Sequence, residues 1–224
     1  MTSNTQILSH TILKEKQRKI RGKFPQPFSL RVHRAISWLG RAEREKKDHD
    51  ASFIFYWIAF NSACAHNTSS LLKLSERSNF RDFFGKLIPI DGEHRIYGEV
   101  WHHFPGPIEI ILDNKFLFQP YWHDRHGVSG FADWEERFDR EKGRLRTAQW
   151  NRETKLVLTT LFDRLYVLRN QILHGGATWN SSVNRAQVTD GAEILPCLVP
   201  IFIDLMMDNP NVFWGAPFYP VTDD

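Results

Sequence analysis

Arg169, Asn170 and His174 are the residues of this sequence whose types and spacing best fit a chemical function. They lie in the stretch RNQILHGG, which follows an apolar run and ends in Gly175 and Gly176. Residues four apart in a helix share one face and lie one turn from each other. The spacing therefore places an amide beside an imidazole, with a guanidinium adjacent to them.

RNA cleavage without a metal ion is the chemistry that this trio predicts. The imidazole of His174 titrates near neutral pH and can move the proton of a 2′-OH or of a leaving group. The planar guanidinium of Arg169 can stabilise the charge that develops on a phosphate, and Asn170 would orient the imidazole or the phosphate. Because in-line cleavage is best served by two proton-transfer groups, we expect a two-fold dimer that joins two copies of the motif at its interface.

The same stretch also fits an ordinary helix end. Glycine is the commonest stop signal after a helix, and cations are favoured near a helix C-terminus. This interpretation does not account for Asn170, a poor helix former in the last turn of an apolar helix. The glycines would in addition leave space for a substrate backbone beside His174, so Gly175 and Gly176 are predicted to contribute to substrate binding.

Two further residues of the same helix are predicted to line this groove. Asp163 and Tyr166 precede Asn170 by one to two turns and share roughly its face. We expect them to bind substrate, although Asp163 could equally pair with a neighbouring arginine.

Histidines and aromatic residues also crowd the segments VWHHFPG and PYWHDRHG. His123, Asp124 and His126 could be metal ligands, but a zinc site wants four ligands, and the adjacent pair His102 and His103 chelates poorly. No metal and no cofactor are therefore predicted. A surface of His, Trp, Tyr and Arg is better suited to stacking on single-stranded bases.

Helices are the elements that must position these residues. Four principal helices are predicted: one from Ser29, a second from Asp48 or Asp50 to about Cys64, a third ending at Gly175 and a fourth over roughly 191–208. The second is apolar nearly all round, so its Asn61 is expected to need a buried partner. The prediction is an all-α fold, with a partly helical insertion over about 67–150 between the second and third helices.

The sequence resembles the HEPN superfamily, and within it the Apea-like subgroup. The resemblance rests on RNQILHG, on RAISWLGRAEREKKDHDASFIFYWIAFNSACA, and on NKFLFQPYW, and it covers about residues 28–210. It implies a helical bundle, usually dimeric, that acts as a metal-independent endoribonuclease in bacterial defence or toxin systems. Arg169 and His174 would be catalytic and Asn170 a polar accessory. The alternative is a non-catalytic HEPN module that binds RNA, a nucleotide or a protein partner such as an antitoxin.

The chain has 224 residues, and its composition is that of a globular protein. Its net charge is +3, and basic residues cluster at 14–23 and 137–146. Residues 1–27 are predicted to be a basic arm that is flexible or loosely docked, and residues 211–224 a tail. No apolar run reaches the length of a membrane span, no signal peptide is evident, and Cys64 and Cys197 lie among apolar residues. We therefore expect a cytoplasmic protein with two buried thiols.

Overall fold

The computed structural model describes residues 8–65, 76–182, 184–217 and 219, and the regular structure of these residues is helical, without strands. The predicted all-α class is confirmed. In the described ranges the α-helices are α1 His10–Ile20, α2 Gln26–Ala42, α3 His49–Cys64, α4 Glu76–Leu87, α5 Arg95–Gly98, α6 Pro105–Leu112, α7 Gln119–Arg125, α8 Trp134–Trp150, α9 Thr154–Leu173 and α10 Arg185–Asp208. One π-helical turn, Glu99–His103, follows α5.

The chain divides into two compact units. One comprises Met1–Leu74 and Ala192–Asp224, and the other comprises Ser75–Gly191. The second unit thus joins most of the predicted insertion to α9, which the sequence analysis assigns to a four-helix bundle. The reason is that the apolar face of α9 packs against other helices of this unit. The Phe162 ring centroid lies 5.0 Å from that of Phe84 and 6.3 Å from that of Phe80.

The first unit is built on α2 and α3, which pack against each other. The Asp48 side chain accepts a hydrogen bond from the N–H of Ala51 at 3.0 Å and so caps α3, as predicted. The helix buries Phe53, Trp57 and Phe60, as its apolar composition demands. The expectation for Asn61 is wrong, because its side chain is exposed and needs no buried partner.

Helix α1 occupies part of the predicted basic arm, and it is docked rather than loose. Leu13 is fully buried, and the Nζ atom of Lys16 lies 2.6 Å from Asp204 and 2.7 Å from Asp208. A single apolar side chain and an ion pair with a distant helix leave little trace in a sequence pattern. The tail predicted for 211–224 lies partly outside the described residues.

Helix α9 is the centre of the second unit, where it packs against α4, α6 and α8.

None of the described helices is long and apolar enough to cross a membrane. Neither cysteine forms a disulfide. Cys64 is buried as expected, whereas Cys197 is only partly buried.

Candidate functional site

The predicted motif closes α9. The N–H of Gly176 donates to the carbonyl of Gln171 at 2.7 Å, and the N–H of Gly175 donates to the carbonyl of Ile172 at 3.3 Å. This pair of bonds is the Schellman motif, in which the residue after the helix cap is left-handed. Gly175 has φ +73°, and a Cβ on Gly176 would lie 2.9 Å from the carbonyl oxygen of Gln171. The helix end itself therefore explains both glycines.

A cavity of about 780 Å³ opens beside this helix end. Its volume falls within the roughly 300–1,000 Å³ typical of small-molecule sites. The walls come from α7, from α9 and from the segments next to them, and are lined by Phe116, Gln119, Trp122, His123, His126, Val167, Asn170, Gln171, His174, Gly176 and Asn184. The lining is aromatic, amide and imidazole in character, without a carboxylate or a permanently charged cation among these residues.

Three of the predicted site residues lie in this wall: Asn170, His174 and Gly176. His174 is exposed at the end of the helix, with its backbone N–H bonded to the carbonyl of Asn170 at 2.9 Å. The predicted neighbourhood of amide and imidazole is therefore present at one cavity. Gly175 turns the chain next to it but does not line it.

Arg169 does not line the cavity but contacts Asn170, which does. Its Nη1 atom donates to Oδ1 of Asn170 at 2.8 Å, and its Nε atom is buried without a hydrogen-bond partner among the described residues. Because a guanidinium only donates, the amide oxygen must face it. The amide N–H₂ group of Asn170 is consequently left for the cavity.

Asp163 and Tyr166 lie elsewhere. The Asp163 carboxylate is 3.7 Å from Nη1 of Arg77 and 3.8 Å from Nη1 of Arg164, and burial, with a smaller contribution from Glu141, raises its pKa despite these two cations. The Tyr166 ring packs against Phe80 at 6.5 Å. Both share the helical stripe of Asn170, as the periodicity predicts, but side chains of α4 cover the stripe at these earlier turns. Neither lines the cavity, and the pairing of Asp163 with arginines is what the structure shows.

Helix α7 contributes to this site in a way that the sequence did not predict. Trp122, His123 and His126 line the same cavity as His174. The carbonyl oxygen of Phe116 links α7 to α9. It accepts hydrogen bonds from Nε2 of Gln171 in α9 at 2.7 Å and from Nε1 of Trp122 in α7 at 2.8 Å. The bond from Gln171 joins residues 55 apart in the chain, and the composition of PYWHDRHG is the one signal of this site in the sequence.

The two histidines of α7 differ in their surroundings. The His123 ring packs edge-on against Phe131 at 4.4 Å, and its Nδ1 atom is buried without a hydrogen-bond partner among the described residues. His126 is exposed, follows the last residue of α7, and lies 6.2 Å from the Trp122 ring. Its imidazole is therefore the less restrained of the two.

The alternative interpretation of these histidines as metal ligands finds no support in the described parts of the chain. No three His, Cys, Asp or Glu side chains are grouped there so as to hold a metal ion. His103 instead bonds through Nδ1 to Glu99 at 2.9 Å.

Comparisons of the chain with protein-family models, with curated protein sequences and with solved structures yielded no match. What the fold and site define is therefore a class: an all-helical protein with an imidazole- and aromatic-lined cavity at the end of a buried helix.

Proposed function

We propose that the protein is a metal-independent endoribonuclease that cleaves RNA by attack of a 2′-OH on the adjacent phosphodiester. The observation that supports this proposal is the meeting of His174 and Asn170 with His123, His126 and Trp122 around one cavity. Two proton-transfer groups, a hydrogen-bond donor for a phosphate and a ring for a base are the parts that the reaction uses.

In this reaction the 2′-oxygen forms a bond to phosphorus while the bond from phosphorus to the 5′-oxygen breaks. One imidazole takes the 2′-OH proton, and a second gives a proton to the departing 5′-oxygen. We assign these roles to His174 and His126, because both are exposed side chains of the cavity wall. The Asn170 amide donates to a phosphate oxygen, and the Trp122 ring stacks on a base. The products are a 2′,3′-cyclic phosphate and a 5′-OH.

Because the cavity holds a second imidazole from the same chain, the proposed chemistry no longer needs a dimer. The dimer was predicted in order to supply the second proton-transfer group, and His126 can supply it within one protomer. Homodimerisation stays a prediction of the HEPN resemblance, as do a defence or toxin role and a neutralising protein partner. The proposed chemistry requires none of them.

The proposal is tested by an RNase assay in EDTA with end-group analysis. The parent is expected to release 2′,3′-cyclic phosphate ends, and His174→Ala and His126→Ala are each expected to cut at least about 100-fold more slowly, the usual contribution of a general acid or base. His102→Ala is the matched control, since His102 is an exposed histidine of the same unit outside the cavity wall. If His174→Ala cuts as fast as the parent, the assignment is wrong.

The second candidate is a non-catalytic module that binds RNA, a nucleotide or a protein partner through this cavity. The lack of permanently charged side chains in the lining favours it, because such walls suit a base more than a chain of phosphates. Pure protein that binds RNA but releases no cyclic-phosphate ends at any pH or salt concentration would support the module and exclude the enzyme.

A further inference from the structure

A second cavity of about 700 Å³ lies in the same unit and shares no lining residue with the first. Its wall is formed by α4, α8, the start of α9 and the segments next to them. It is lined by Arg77, Ser78, Arg81, Ile88, Glu141, Arg144, Arg152, Glu153, Thr154, Lys155, Leu156 and Thr159. Five of these side chains are cationic and two are acidic, so the cavity is basic.

One of the two acidic residues is neutralised from within the unit. Glu141 accepts hydrogen bonds from Nη1 of Arg77 at 2.6 Å and from Nη2 of Arg164 at 2.5 Å. Burial would raise the pKa of Glu141, but Arg164 and Arg77 outweigh it and hold the pKa below its usual value. The pair of Glu141 and Arg77 therefore leaves the excess positive charge to the remaining lining residues.

Four cations of the cavity keep their charge available. Arg81 and Arg144 are exposed, and no carboxylate of the described residues lies within ion-pair distance of either. Arg152 donates from Nη1 to the neutral hydroxyl of Tyr97 at 2.7 Å, which orients the guanidinium without cancelling its charge. Lys155 is exposed as well.

Lys155 also contacts Gly85 of α4. A Cβ at position 85 would lie 2.9 Å from the Nζ atom of Lys155, so the ammonium group packs directly on the glycine. The first residues of α9, Thr154 to Leu156, also face the cavity and add the positive end of the helix dipole to these side chains.

We infer that this cavity is a phosphate-binding site, whose ligand carries closely spaced phosphate groups as an RNA backbone or a nucleoside triphosphate does. Arginine forks bind phosphate oxygens in pairs, and Arg81 on α4 faces the same cavity as Arg144 on α8. Of the basic segment 137–146, Arg144 is the free cation that reaches this wall. The inference does not depend on whether the first cavity cleaves RNA.

Binding is tested with a labelled 2′-O-methyl oligoribonucleotide, which lacks the attacking hydroxyl and stays intact, by fluorescence anisotropy at several salt concentrations. We expect the pair Arg81→Glu and Arg144→Glu to raise Kd at least 30-fold. The salt dependence of log Kd should fall by about 1.4, since each phosphate contact of a single strand contributes about 0.7. ATP and inorganic tripolyphosphate are used as competitors: competition at micromolar concentration identifies a nucleotide-like ligand, and its absence identifies a strand backbone.

The matched control is the pair Arg140→Glu and Arg146→Glu, which changes the net charge of the unit equally but at exposed positions outside this cavity. It should raise Kd less than threefold. Equal weakening by both pairs, or parental binding by the first pair, overturns the inference. Circular dichroism checks the fold, and Arg81→Gln with Arg144→Gln replaces the first pair if it unfolds. Cleavage of RNA and binding of this intact probe are separate readouts, so the cleavage proposal and this inference fail separately.

Discussion

At Asn170, the direction of the side chain is decided by its neighbour. Arg169 offers only donors, so it holds the amide oxygen and leaves the amide N–H₂ for the cavity. A donor at this point suits a phosphate oxygen or a base carbonyl. We therefore predict that Arg169 is a positioning residue, whereas its type and place in the motif predict that it stabilises the charge on the phosphate directly.

A double-mutant cycle separates the two roles of Arg169. Loss of a hydrogen bond to a charged group costs about 1.5–3 kcal/mol, so Arg169→Met and Asn170→Ala should each lower kcat/KM about 10- to 100-fold. If Arg169 acts through Asn170, the double variant is no slower than the worse single variant. Multiplied effects would show that the guanidinium reaches the phosphate by itself.

Residue types and spacing predicted the meeting of Asn170 and His174, because the period of a helix is fixed. The same period placed Asp163 and Tyr166 on the stripe but could not show that α4 covers it. The position of His123 and His126 in the cavity was not predicted, for a related reason. They line one cavity with His174 because the segment before α7 meets the end of α9, where Gln171 bonds to the carbonyl of Phe116 across 55 residues, and no local pattern encodes such a bond.

Among the elements, the end of α9 is the one whose details the sequence predicts best. Gly175 is left-handed at φ +73°, a conformation that costs an L-residue about 1–2 kcal/mol. Gly175→Ala should therefore lower the free energy of unfolding by that amount and Tm by a few degrees. Thermal unfolding followed by circular dichroism measures it.

Gly143→Ala is the control of opposite sign. Gly143 lies inside α8, and a Cβ there would meet open space, so alanine should stabilise the protein by about 0.5–1 kcal/mol. Equal stability of the parent and Gly175→Ala would show that the left-handed turn is not required.

Helix starts were harder to predict than this helix end. The Asp48 cap was visible because its side chain makes a local bond. Helix α2 begins at Gln26 after Pro25, before the predicted Ser29, and α10 begins at Arg185 and continues through Pro196 and Pro200. Prolines argue locally against a helix, and tertiary packing of the apolar face outweighs that preference.

On the scale of the whole molecule, each of the two units contains one arginine that is almost completely buried. Arg31 in the first unit donates from both Nη atoms to backbone carbonyls, and burial lowers its pKa to about 10. These carbonyls belong to Ala63, Ala65, Gly215 and Ala216, at 2.7–3.1 Å. Arg164 in the second unit depends instead on carboxylates, chiefly Glu141. Carbonyls do not titrate and carboxylates do, so the two buried charges should respond differently to acid.

Glu141→Gln tests this difference in the second unit. It leaves Arg164 and Arg77 without their shared carboxylate, and breaking a buried pair costs about 3–5 kcal/mol at pH 7. The pKa of Glu141 lies below its ordinary 4.5, so its contribution is complete above about pH 4.5 and is lost as the pH falls through the lowered value. The stability difference between parent and variant should therefore shrink in acid.

Urea denaturation at pH 7 and at pH values below 4.5 measures that difference. The pKa of Asp163 is raised by burial, so protonation of Asp163 stabilises the folded state as the pH falls, opposite to Glu141. Asp163 is present in both proteins, but Glu141 also contributes to raising its pKa, so the difference between the two proteins reports the coupled pair of carboxylates. Asp113→Asn is the control, because Asp113 is half-exposed in its pair with Lys142 and should cost no more than about 1 kcal/mol. A cost for Glu141→Gln that does not change with pH would mean that the lost carboxylate acts through packing, not through its charge on Arg164.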